Sequence, residues 1–108
     1  MKGTMTQTQH RLINYLKEYC YGKSNAISKD RLASYFNITT RELRDLKRDI
    51  VINNSIPIGS TKAGYFYAAS DLEIMNFRNE HLSRLTSHKK MMDAYEIMIA
   101  QKDQLQMI

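Results

Sequence analysis

A single cysteine, Cys20, leaves this chain without an intramolecular disulfide and without a cysteine cluster that could hold a metal. Glycine is scarce, with four in 108 residues, and none of them forms a phosphate-cradling Gly-rich loop. No nucleophile stands beside an obvious base and orienter, so neither catalytic residues nor a cofactor site is expected. Long apolar runs and a signal-peptide pattern are also missing, so the sequence predicts a cytoplasmic protein with no membrane partner. Proline occurs once, at Pro57, and helices elsewhere are free to run uninterrupted.

What is present is a hydrophobic content of 43%, enough for a true core, and a net charge of +5. The charge is uneven. Residues 1–70 carry 11 Lys/Arg against 5 Asp/Glu, a balance of +6, whereas residues 71–108 carry 5 against 6, or −1. A basic excess confined to one part of the chain points to a polyanionic partner, double-stranded DNA above all.

The stretch Ile27–Val51 organises the reading. Ser28 is an N-cap residue, and Leu32, Ala33 and Phe36 follow on one helical face. Asn37 tolerates the left-handed conformation that stops a helix, and Ile38 plugs the turn. Thr39 with Glu42 makes a capping box that starts a second helix, with Leu43, Leu46 and Ile50 as its apolar face. At about 100° per residue, with Leu43 at 0°, Arg41, Arg44 and Arg48 fall at about 160°, 100° and 140°. All three point away from the core. Guanidiniums so placed suit phosphate contact and readout of guanine edges, and Asp45 among them can accept from cytosine or orient an arginine.

Upstream, Thr6 with Gln9 is a weaker capping box for a first helix over about 7–21, with Leu12, Ile13, Leu16, Tyr19 and Cys20 as its apolar face. Cys20 is expected to pack as a small hydrophobe. Ala26-Ile27 suits a very short strand. Downstream, Asn53-Asn54-Ser55 reads as a turn. Ile56–Gly59 and Tyr65–Ala68 then flank Ser60, Thr61, Lys62, Ala63 and Gly64 as a hairpin, with the small donors and the lysine at its tip.

The order helix, short strand, helix, turn, helix, hairpin resembles a winged helix-turn-helix domain. More narrowly, RELRDLKRDIVINNSIPIGSTKAGYFYA followed by a long polar helix is similar to small winged-helix proteins of phages and prophages in Gram-positive bacteria. The resemblance implies an α+β, mainly α fold: a DNA-binding domain over 1–70 and a C-terminal helix over 71–108. It implies a recognition helix at 40–52 in the major groove, presenting Thr39, Thr40, Arg41, Arg44 and Arg48. A wing at 56–68 would bring Ser60, Thr61 and Lys62 to the backbone. The function so implied is sequence-specific binding, as a transcriptional regulator or a replication or partition site binder.

Ser70 with Glu73 opens the last helix, expected over about 71–104, with Thr86-Ser87 as its weakest point, where it could fold back. Ile74, Phe77, Leu82, Leu85, Met92, Tyr95 and Ile99 form one apolar stripe. A second copy is the simplest cover, so Leu82, Leu85, Met92, Tyr95 and Ile99 are expected in a homodimer interface. The alternative is a protein-interaction module whose Met-rich helix grips a host protein. His81 and His88 are seven residues, or about 10.5 Å, apart on this helix, too far to share one metal.

Overall fold

A computed structural model describes residues 5–106, and it is mainly helical with one small antiparallel sheet. The chain divides into two compact units, the first ending at Ile74 and the second beginning at Met75. No helix among the described residues is long and apolar enough to cross a membrane.

In the first unit, α1 (Gln7–Tyr19) starts from the expected capping box at Thr6 and Gln9. It stops two residues earlier than the sequence suggests. Tyr21 is drawn off into a bridge with Tyr67, the Gly22 N–H donating to the Tyr67 carbonyl at 2.7 Å. Tyr19, expected on the packed face, is largely exposed. A 3₁₀ turn (Lys23–Asn25) leads to α2 (Lys29–Tyr35), capped by Ser28. Asn37 takes φ 55° and ends it. α3 (Thr40–Asn54) then begins at Thr39 with both halves of its capping box made.

α3 outruns the expected 40–52, and Asn53 and Asn54 are helical rather than in a turn. Asn53 spends its side-chain amide on the Asp49 carboxylate, one helical turn back, instead of on a local turn. Asn54 is buried, and the left-handed Ser55 closes the helix two residues late.

The hairpin pairs β1 (Ile58–Thr61) with β2 (Gly64–Tyr67) in the register Ile58–Tyr67, Gly59–Phe66, Ser60–Tyr65 and Thr61–Gly64. β1 begins two residues later than expected because Pro57 has no N–H to give; only its carbonyl serves, accepting from Ala68 at 2.9 Å. Ser60 and Thr61 are therefore ladder residues, and the turn is only Lys62-Ala63. On its other edge β2 holds Ile27, not through a strand but through one bridge with bonds of 2.9 and 2.8 Å.

The core joins Leu12, Ile13 and Leu16 of α1, Leu32 of α2, Leu43 and Ile50 of α3, and Ile58, Tyr65 and Phe66 of the hairpin. Each such burial contributes roughly 1.5–3 kcal/mol against the unfolded chain. The sheet is short and marginal alone, so this packing is what holds it.

α4 (Asp71–Gln106) is one unbroken helix. It does not fold back at Thr86-Ser87; the Thr86 hydroxyl donates instead to the Leu82 carbonyl at 3.1 Å, satisfied within the helix. Its first turn belongs to the first unit. The Glu73 carboxylate accepts from Ala69 at 2.8 Å and from Lys23 at 3.1 Å, while Ser70 Oγ accepts from the Glu73 N–H. Glu73 thus ties two amides outside the helix rather than completing a third reciprocal box.

Candidate nucleic-acid interface

α3 carries the densest charge of the first unit, and its two edges differ in sign. Arg41, Arg44 and Arg48 are exposed. The edge holding Arg44 turns toward the hairpin. Lys47 Nζ stands 6.0 Å from the Tyr65 ring centroid, and Arg44 is close enough to act on the Tyr65 hydroxyl. Burial pushes that phenol up, and Arg44 pulls it partly back.

The other edge is mainly acidic, with Arg48 beside Asp45 and Asp49 where the two edges meet. Glu42, Asp45 and Asp49 recur at i, i+3 and i+7, and with Thr6, Thr8 and Gln9 they line a shallow groove. Gln9 bridges the two helices, accepting from the Thr6 N–H at 2.8 Å and donating to Asp49 Oδ2 at 2.5 Å. Asp45 therefore belongs to this acidic edge as much as to the arginines beside it. The separation of sign across one helix was not apparent from the count of arginines. The i, i+3, i+7 spacing marks the acidic residues, and Gln9 and Tyr65 show which neighbour each edge meets.

The remaining expected contacts are distributed unevenly. Thr40 is exposed at the first helical position. Thr39 is exposed too, but its hydroxyl accepts from the Glu42 N–H at 3.0 Å and donates to Glu42 Oε1 at 3.1 Å. Of the three expected hairpin contacts Lys62 is exposed in the turn, whereas Ser60 and Thr61 are half-buried in β1. Thr61 Oγ1 accepts from the Ala63 N–H at 3.1 Å, stiffening the turn. Lys62 is the member of that trio best placed to reach outward.

A second surface was missed by sequence reasoning. Tyr15 of α1 packs its ring 5.0 Å from Tyr19, 4.7 Å from Tyr35 and 5.9 Å from Phe36, and Arg11 sits 5.5 Å over Phe36. Burial among them raises the Tyr15 phenol. The i, i+4 spacing of Tyr15 and Tyr19 was the available signal, but the apolar face expected of α1 included Tyr19 and not Tyr15.

In the second unit Leu82, Leu85, Met92, Tyr95 and Ile99 are each more than half exposed. Lys89 pairs with Asp93 at 3.4 Å within the helix. Cys20 is buried and its thiol is raised by that burial, which makes it a poor nucleophile. Among the described residues no group of His, Cys, Asp or Glu could hold a metal ion. No family model, curated protein or solved structure matches the chain.

Proposed function

We propose that this protein binds double-stranded DNA in a sequence-specific way through a winged helix-turn-helix unit. α3 enters the major groove with Arg41, Arg44 and Arg48, and Lys62 on the hairpin turn meets the backbone. The observation that carries the reading is a boxed helix that exposes Arg41, Arg44 and Arg48 and sets Arg44 and Lys47 beside Tyr65 of a two-stranded hairpin. Asp45 and Asp49 support an approach from the hairpin side, since the opposite edge repels phosphate. The likeness to small phage and prophage proteins favours a regulator, or a replication or partition site binder, of mobile-element type. Self-association through α4 supplies the two-fold symmetry that an inverted-repeat site requires.

A second reading is favoured by the exposed methionines Met91, Met92 and Met98. They suit an adaptable surface for a host protein, with the winged unit as scaffold. Selection of bound sites from a random duplex pool, followed by titration at several salt concentrations, separates the two. DNA binding requires an enriched motif and an affinity that falls steeply with salt. No enrichment and no duplex binding at low salt would leave the protein-docking reading.

A further inference from the structure

Between Met91 and Ala100 the only charged residues are Asp93 and Glu96. With Leu85 at 0° and about 100° per residue, Met92, Ile99 and Tyr95 lie at about −20°, −40° and −80°. Met91, Met98, Ala94 and Ile97 continue the same arc through about −120°, −140°, 180° and 120°. Lys89, Asp93 and Glu96 occupy the narrow strip between about 20° and 80°, whereas N-terminal to Met91 the arc is interrupted by Lys90 at about 140° and Arg84 at about −100°, so its full width belongs to residues 91–100 alone. Met91, Met92, Tyr95, Ile97, Met98 and Ile99 are all more than half exposed. An apolar arc of about 220° is roughly twice what one neighbouring element covers.

We propose that α4 assembles with three copies of itself into an antiparallel four-helix bundle, making the protein a tetramer. The occupant follows from charge. In a parallel pair the flanking positions five residues apart meet, which sets Arg84 against Lys89 of the neighbour on both sides of the seam. In the antiparallel pair, with Leu85 layered against Tyr95 and His88 against Met92, Lys89 faces Glu96 of the neighbour twice. The helix is thus complementary to its own reverse. The number follows from the arc. Each helix needs two neighbours, and a closed ring of alternating direction holds an even number, of which four is the smallest. A ring of three must contain at least one parallel pair and so at least one interface with the Arg84–Lys89 clash. In the ring of four, one seam centres on Leu85, Met92 and Ile99 and the other on Met91, Ala94 and Met98. The first turns of two α4 helices then lie at each end of the bundle.

The proposal rests on the self-association of α4 in the reading above and on nothing about DNA, so it is tested without DNA. Sedimentation of the full chain at micromolar concentration should give about four times the 12.6 kDa of one chain. Cysteine pairs in a Cys20→Ala background report direction. Positions 89 and 96 are about 10.5 Å apart along one helix, beyond disulfide reach. K89C/E96C should therefore oxidise to a link that peptide mapping places between 89 of one copy and 96 of another. R84C/K89C should give no link between 84 and 89. Changing Met91 and Met98 together to Glu should halve the mass, leaving dimers on the remaining seam. A particle of any other size, a tetramer without the 89-to-96 link, or a mass untouched by the double Met change overturns the proposal.

Discussion

A Cβ placed on Gly64 would lie 1.7 Å from the carbonyl oxygen of Ile27. The backbone of the hairpin and the entry to α2 meet there with no room for a side chain, and Gly64 holds φ 129° besides. Gly64→Ala must therefore open the Ile27–Tyr65 bridge or strain the turn. The expected loss is at least about 2 kcal/mol, read as a lower urea midpoint at unchanged slope.

Gln9→Glu sets a carboxylate against Asp49 where an amide donated before. At neutral pH the variant should lose about 1–3 kcal/mol through like-charge repulsion and the lost donor. Acidification should restore part of that loss, because one shared proton rebuilds the contact. Thermal melts of both proteins at neutral and mildly acidic pH check this; a gap that does not narrow in acid would mean that Gln9 matters only as a cap.

Cys20, Tyr15 and Tyr65 all have acid groups raised by burial, from ordinary values of 9.0 for the thiol and 10.0 for the phenols. The unfolded chain ionises first, so stability is full below those values and falls as pH climbs through the folded ones. The slope is at most about 1.4 kcal/mol per pH unit for each group. Urea midpoints measured from near neutrality into the alkaline range should decline, and Tyr65→Phe or Cys20→Ala should each flatten the decline.

Arg44→Ala should weaken binding to a selected site by about 1–3 kcal/mol and relax preference at one base position. Its central place on the exposed arginine edge motivates this. Equal losses on selected and random duplexes would make Arg44 a phosphate contact.

Lys62→Ala should act differently, lowering affinity alike on all sequences and reducing the salt slope by about one unit. An unchanged slope would remove the hairpin turn from the interface.

The elements that the sequence predicted well are those whose signals are local. Thr6 with Gln9, Thr39 with Glu42, Ser28 and Asn37 each fix a helix end through partners within four residues, and all four hold. Asn53 and Asn54 misled because an Asp one turn earlier captured the Asn53 amide. Ser60 and Thr61 misled because Pro57 shifted the ladder two residues along. Spacing within α3 and α1 marks the acidic residues and the Tyr15/Tyr19 pair, but their partners Gln9, Tyr35 and Phe36 come from other elements, which no spacing within one helix records.

β2 is secured on one edge by its own hairpin but on the other by Tyr21 and Ile27, which precede it by most of the unit. During synthesis the three helices that hold Leu12, Leu16, Leu32, Leu43 and Ile50 are complete before Tyr65 and Phe66 have left the ribosome. A nascent chain paused before Gly64 carries that greasy surface uncovered, with the Ile27 amide still seeking its partner, and is the species a chaperone would catch.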